Sequence, residues 1–313
     1  MSAGQRVAVV VAATDTRVVA PDGLRRFAEE VEGRGEVVLV DGSRDGVEPG
    51  VSGLRILRRP SGRLAPELWR DGLRATDAPL VAFSTAAMTP AAGWLDALLA
   101  RLDETGAAAV GGPIAPGESL KATARAVYLT RYAQYLPPFP QHAALEPPGD
   151  NALYRRDRLQ GLEALIDGGF WEAEVHRELR ARGESLALAN EACVTYQGGG
   201  SLTDAAVQRF RHARTYGAAR GARMTATERL ARSASAPLVP AVMGRRIATA
   251  LRSKGVRIGP WLSAVPGLAL LLTAWSAGEA VGLWAGPAAR RHGRLMGNQR
   301  LGGWAAEGRG GQA

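Results

Sequence analysis

The amino-acid sequence predicts an α/β protein, a mostly parallel sheet flanked by helices with a C-terminal helical membrane-associating region. Three observations carry this. Up to about residue 205, short continuous apolar runs alternate with segments whose apolar residues recur at helical spacing. The charge is lopsided: residues 1–213 hold 24 Lys+Arg against 27 Asp+Glu, whereas residues 214–313 hold 15 against 3. Finally, Trp261–Gly286 runs 26 residues with a single charge, Glu279, longer than the roughly 20 apolar residues a spanning helix needs.

The elements follow in order. The run through residues 6–13 is continuously apolar from Val7, as expected of a strand buried on both faces. In residues 22–34, Leu24, Phe27 and Val31 lie at helical spacing, with Asp22 as N-cap and Gly33 and Gly35 as the stop. Val37–Val40 is the next strand, so the chain opens with a βαβ unit and its right-handed crossover. Leu54–Leu57 is a third strand. Pro66–Ala75 reads as a helix with Leu68, Trp69 and Leu73 inward, and Leu80–Phe83 as a fourth strand. Pro90 and Gly93 open a helix through Leu99, and Ala107–Gly112 is a fifth strand. Residues 120–136 are helical, with Tyr128, Tyr132 and Tyr135 on or near one face. The Pro-rich stretch Leu136–Pro148 is a loop over a cleft. Leu186–Val194 is a late strand, and Arg209–Arg223 a strongly basic helix.

Composition bounds the function. With 313 residues, 46% of them hydrophobic and 22% charged, the chain can bury a full core. One cysteine, Cys193, excludes an intramolecular disulfide and a thiolate zinc cluster, and reads as a small core residue. No basic stretch and cleavage site precede the first apolar run, so no signal peptide is expected. The net charge of +9 belongs to the C-terminal third. Its place beside an apolar segment, with no aromatic-interleaved basic motif, favours anionic membrane lipids over nucleic acid as the partner. Pro266, Gly267, Gly278, Gly282 and Glu279 weaken the apolar segment as a span, and arginines flank both of its ends. Crossing the membrane, lying on it, and packing on the domain as a soluble apolar helix therefore all stay open.

Ligands of open α/β sheets bind outside the carboxyl ends of the strands. Asp41 stands at such an end, followed by Gly42 and Ser43. Its carboxylate either accepts from a base N–H or ribose hydroxyl, or caps its own turn. The stretch Val40-Asp41-Gly42-Ser43-Arg44-Asp45 is one of several that resemble family 2 glycosyltransferases of the GT-A type, a Rossmann-like fold. The others are Pro60-Ser61-Gly62-Arg63 before a helix, Gly149-Asp150-Asn151-Ala152-Leu153-Tyr154-Arg155-Arg156, Phe170-Trp171-Glu172 with Arg182-Gly183 downstream, and Gln208-Arg209-Phe210-Arg211-His212. The resemblance covers about residues 6–215. A looser likeness to the C-terminal membrane segment of some bacterial members extends it to Trp261–Gly286.

The resemblance implies a donor side built from Asp41, Ser43, Arg70, Ser84 and Thr85, with Asp41 at the nucleotide base and Arg70 at the diphosphate. It implies an acceptor side of Asp150, Asn151, Trp171 and Arg211. Glu172 takes the position of the catalytic base, with Glu174 as the fallback. The family holds Mg²⁺ or Mn²⁺ on an Asp-x-Asp pair after the fourth strand. Here that place reads Ser84-Thr85-Ala86, so the usual ligands of a divalent metal are missing, and no cofactor is assigned. Three alternatives follow: arginines including Arg70 take the diphosphate, other groups such as Asp77 or His176 hold a metal, or the domain binds without catalysing. The expected organisation is a catalytic domain over 1–215, a basic amphipathic helical region over 216–260, a hydrophobic membrane segment over 261–286 and a basic flexible tail over 287–313. The expected activity is inverting transfer of a sugar from a nucleotide-sugar donor to a lipid-linked or envelope-glycan acceptor. The catalytic domain is expected at the cytoplasmic membrane, facing the cytoplasm. A non-catalytic binding protein that partners a membrane enzyme is the alternative. Nucleotidyl transfer fits less well, because no Gly-rich phosphate loop with Lys is present.

Overall fold

A computed structural model of the chain describes residues 6–138 and 146–285. The expected flexible tail, and most of the Pro-rich loop, lie outside the described residues. β1 (Val7–Ala13) is buried at every position, which requires cover on both faces. α1 (Pro21–Val31) supplies part of it, with Pro21 in the first turn and Leu24, Phe27 and Val31 buried. β2 (Gly35–Asp41) pairs parallel with β1, and β3 (Leu54–Arg58) parallel with β2. α2 (Ala65–Ala75) covers the other face through Leu68, Trp69 and Leu73. Gly72 lets this helix approach closely, since a Cβ there would lie 2.2 Å from Val10 Cγ1. β4 (Leu80–Thr85) then pairs parallel with β1 on its other side.

The second half is less regular. β5 (Met88–Pro90), α3 (Trp94–Thr105), β6 (Ala109–Gly111), β7 (Ile114–Pro116) and α4 (Ala122–Tyr132) precede β8 (Asn151–Arg155). α5 (Glu163–Ile166), α6 (Glu172–Ala181), β9 (Leu186–Leu188) and β10 (Val194–Tyr196) follow. The main sheet has seven strands in the order β3-β2-β1-β4-β8-β6-β9, and β8 runs antiparallel to both neighbours. A three-stranded sheet, β5-β10-β7, sits beside it. The single late strand expected over Leu186–Val194 is two strands in two different sheets. Between them the chain turns, with Ala192 N–H donating to Ala189 O and Cys193 N–H to Glu191 O. An apolar run carries no mark of such a change of sheet. Cys193 is half-buried rather than a core residue, and burial raises its thiol pKa.

Four helices close the described chain: α7 (Leu202–Gly221), α8 (Ala226–Ala234), α9 (Val239–Ser253) and α10 (Val265–Trp284). α7 starts before the expected Arg209, because the Ser201 hydroxyl caps it by accepting from Asp204 N–H at 3.1 Å, and it runs unbroken through residue 215. α10 lies along α7 at close range. A Cβ on Gly217 would sit 2.4 Å from Glu279 O, one on Gly278 2.3 Å from Phe210 O, and one on Gly282 2.2 Å from Arg214 O. Small residues on both helices thus permit backbone contact. The lone charge of α10, Glu279, is 4% exposed and faces inward, paired with Arg220 at 3.3 Å and Arg232 at 3.2 Å.

The stretch Gly259–Trp284 is long and apolar enough to cross a membrane. Its outward face carries Leu262, Val265, Leu270, Val281 and Trp284, all exposed, with no charged residue among them. Replacing Gly278 by leucine is expected to push α10 off α7 and to destabilise the protein by at least the ~1–3 kcal/mol of an overpacked core. The measurement is a lowered urea midpoint, with Ala277→Leu on the exposed side as the unchanged control.

Candidate active site

β1 and β4 are parallel neighbours, and their carboxyl ends open into a cleft of about 320 Å³. Thr14 and Thr85 stand at those ends, and both line it. The floor is formed by Trp69 of α2, by Gly149 and Asp150 just before β8, and by Glu172 in the first turn of α6. The walls come from Arg131 of α4, from Arg209 and His212 of α7, and from Leu271 and Trp275 of α10. The C-terminal helices therefore complete the cleft.

Glu172 has the setting of an acid–base group. A Cβ on Gly149 would lie 3.0 Å from its Cδ and 3.1 Å from the Trp69 ring, so glycine at 149 keeps the carboxyl seated against the floor. Burial, and next the charge of Asp150, push its pKa above the ordinary glutamate value. A backbone N–H of its own turn, His176 and Arg131 pull the other way. Asp150 is bound by Arg131, whose Nη2 donates to Oδ1 at 3.0 Å and to Oδ2 at 2.8 Å. Trp69 donates from Nε1 to Ser84 O at 2.7 Å, which fixes its ring over the floor.

Of the residues expected at the site, Thr85, Asp150 and Glu172 line the cleft and the rest do not. Asp41 is 1% exposed. Its carboxylate accepts from Ser43 N–H at 2.9 Å, Ser43 Oγ at 2.5 Å, Val47 N–H at 2.7 Å and Arg58. Burial alone would raise its pKa, but the bonds from Ser43 and Val47 and the Arg58 charge hold it below the usual value. Asp41 and Ser43 thus close their own turn. Arg70 grips Asp71 and donates to Asp167 O at 2.7 Å, tying α2 to the loop before α6. Ser84 is fully buried with an unpartnered hydroxyl. Asn151 is equally buried. Its amide donates to Pro113 O at 3.0 Å and Ala192 O at 2.8 Å, and accepts from Trp94 Nε1 at 2.7 Å.

Trp171 caps α6 and meets His212 edge-on at 4.9 Å between ring centroids, so it stands behind a lining residue. Arg211 is exposed on the outer side of α7. Glu174 faces Arg177 and Arg223 at 4.0 and 3.9 Å, away from the floor. Asp77 is an exposed partner of Arg6, and His176 is buried against Tyr154 Oη at 2.8 Å. Neither lines the cleft.

Three further residues line it without a functional mark in the sequence. Trp69 carries the inward signal of a core residue. Arg131 lies on the tyrosine-bearing helix with no mark of its own. Arg209 lies inside the segment where spacing singled out Arg211. Residues two apart on a helix point roughly 200° apart, so one of the two arginines faces the cleft and the other faces solvent.

No protein-family model matches the chain, and no curated protein matches it. Among solved structures, a mannosyltransferase from Pyrobaculum calidifontis in complex with GDP-Man and Mn²⁺ is similar at 16% identity. The match covers 90% of this chain and 88% of that one, with a TM-score of 0.48. A glucosyl-3-phosphoglycerate synthase from Mycobacterium tuberculosis, in complex with Mn²⁺, UDP and phosphoglyceric acid, is 18% identical. That match covers 67% of this chain and 77% of the other, with a TM-score of 0.45.

The Glu172 environment sets a sign for stability. A carboxyl whose folded pKa is raised stabilises the fold fully below its unfolded pKa and loses that contribution as pH rises through the folded value. Glu172→Gln removes the buried charge, so the variant is expected to melt higher than the parent at pH 8 and to lose this advantage at pH 4. Melting curves at the two pH values check this.

Proposed function

We propose that the chain is an inverting glycosyltransferase of the GT-A type. In this reading it moves a sugar from a nucleotide-sugar donor to a lipid-linked or envelope-glycan acceptor at the cytoplasmic membrane face. The observation that carries the reading is Glu172: a carboxyl with a raised pKa, seated on the floor of the cleft at the ends of parallel strands, beside an aromatic ring and an Asp–Arg pair. Inverting transfer needs one base. Glu172 takes the proton of the acceptor hydroxyl as that oxygen bonds to the anomeric carbon. The bond from that carbon to the diphosphate oxygen breaks on the opposite side, and the nucleoside diphosphate leaves with the electron pair. Trp69, almost wholly buried, closes the floor with an apolar edge beside Glu172, and Asp150, held by Arg131, offers acceptor oxygens for the sugar's hydroxyls.

The raised pKa suits a group that must accept a proton near neutral pH. With an identified donor, Glu172→Gln is expected to lose about 10²–10⁴-fold in kcat while keeping donor affinity, the usual scale of general-base catalysis. Asp150→Asn removes a negative neighbour and frees Arg131, and both changes favour the ionised form of Glu172. The acid limb of kcat/KM is therefore expected to move to lower pH in that variant. An unmoved limb would assign it to another group.

The membrane side of the proposal rests on the outer surface of the C-terminal helices. Leu238 just before α9, Val242 of α9 and the uncharged outer stripe of α10 are exposed, as are Arg245, Arg246 and Arg252 on α9. Because Glu279 is tied inward to two arginines, we read α10 as lying on the bilayer rather than crossing it, with the arginines at anionic headgroups. Flotation with vesicles containing anionic lipid checks this. Leu270→Glu is expected to reduce binding several-fold, and raised salt to weaken what remains.

The second reading, a binding protein without catalysis, is favoured by the absence of a carboxylate pair at Ser84-Thr85. Transfer, or donor hydrolysis, that is lost in Glu172→Gln separates the two.

A further inference from the structure

We propose that the cleft holds a diphosphate with guanidinium groups in place of a divalent cation, Arg209 as the principal ligand and Arg131 beside it. The inference rests on the glycosyl-transfer reading only for the identity of the natural ligand.

The carboxylates around the cleft do not fit a hard cation. Mg²⁺ and Mn²⁺ sites use oxygen ligands, with one or two carboxylates left available to the metal. Here Asp150 is bound through both oxygens by Arg131. Asp15 and Asp204, at the rim, share Arg17 at 2.6 and 2.5 Å. Glu172 sits where burial disfavours its charged form. The end of β4 offers only hydroxyls, from the fully buried Ser84 and from Thr85. No group of three or more His, Cys, Asp or Glu that could hold a metal occurs among the described residues.

The cations of the same cleft are less completely engaged. Arg209 Nη2 donates to Thr130 O at 2.9 Å, and the guanidinium lies over the Trp275 ring, with Cζ 5.1 Å from its centroid. Nε is buried and has no hydrogen-bond partner. A buried N–H of a charged group left unpaired is costly, and a small shift of the side chain that brought Nε to an acceptor oxygen in the cleft would remove that cost. Burial, and then the neighbouring Arg131, bring the Arg209 pKa down to about 10, so it stays protonated at neutral pH. Two like charges held together in a partly closed site favour a polyanion, and a planar guanidinium suits bidentate binding of phosphate oxygens.

His212 is on the same wall. Burial, followed by the two arginines, pushes its pKa down to about 3, so it adds a neutral hydrogen-bonding group rather than a third charge. Asp150 reduces the net charge of the pair without reaching Nε of Arg209. Glu172 lies across the same floor, so an anion on the arginines is placed opposite the proposed base.

The test is calorimetric titration of the full-length, detergent-solubilised protein with inorganic pyrophosphate, once in EDTA and once with Mn²⁺ or Mg²⁺ present, and separately with Mn²⁺ alone. Pyrophosphate is expected to bind in EDTA, more weakly as salt rises, and Mn²⁺ alone is expected to give no saturable binding. Arg209→Gln is expected to weaken pyrophosphate at least about tenfold, the scale of one lost charge-assisted hydrogen bond. Arg209→Lys should fall between, retaining the charge but not the fork. Arg26→Gln, on the exposed side of α1, should match the parent. Melting curves of each variant confirm folding, and Arg209→Lys keeps the test open should the glutamine variant fail to fold.

Pyrophosphate binding that requires Mn²⁺ or Mg²⁺, or that is indifferent to Arg209→Gln, overturns the proposal. So does an absence of binding in both conditions. Strictly metal-dependent sugar transfer would sink this proposal and leave the glycosyltransferase reading standing. Metal-free pyrophosphate binding in a protein that transfers no sugar would do the reverse.

Discussion

The buried amide of Asn151 is the constraint on which the geometry of the cleft depends. Its three hydrogen bonds reach Trp94 on α3, the carbonyl of Pro113 between β6 and β7, and the carbonyl of Ala192 between β9 and β10. One side chain thereby joins the large sheet to the small one. Gly112 is small for the same reason, since a Cβ there would fall 2.8 Å from Asn151 Nδ2 and 1.8 Å from Ala192 O. With Asn151 fixed, the residues just before it have no freedom of place. Gly149 and Asp150 must emerge at the ends of β1 and β4. The antiparallel β8 is what lets the second half of the chain deliver groups to strand ends built by the first. A buried amide with all its partners costs little, and losing any one of them leaves an unpaired group in the core.

Charge within the cleft is arranged by the same economy of partners. Asp150 has Arg131, and Asp15 and Asp204 have Arg17. Among the cleft's ionisable groups whose environments disfavour their charged forms are Glu172 and Arg209. Sites of chemistry gather groups of this kind, and here they stand on facing elements, one acidic and one basic. Outside the cleft, Asp41, Arg58, Arg70 and Asp71 show the opposite condition, with their polar atoms engaged in local turns and helix ties.

The first half of the fold was legible because each element declares itself locally. Leu24, Phe27 and Val31 mark one face of α1, and the unbroken apolar run of β1 marks a strand covered on both sides. The second half was less so. β6, β7, β9 and β10 are three residues each, too short for any period, and their pairing is decided by Asn151 and Gly112 rather than by their own residues. Glu172 and Asp150 line the cleft that their neighbours in sequence pointed to, whereas Asp41 and Arg70 lie outside it. A strand-end carboxylate looks the same whether it meets a ligand or its own turn, and the choice here was made by Arg58 from another strand. Arg209 was hidden beside Arg211 because motif spacing counts residues while a helix rotates them.

α10 is a partition one helix thick. Leu271 and Trp275 look into the cleft, whereas Leu270 and Thr273 look out of it. The two environments are thus separated by about 10 Å, the diameter of a helix with its side chains. Shortening the chain at residue 260 to obtain a more soluble protein would therefore unroof the cleft, taking with it the ring that underlies Arg209 and leaving Arg220 and Arg232 without their carboxylate. In this protein the apolar C-terminal helix is a wall of the cleft, and truncation cannot remove the one and leave the other whole.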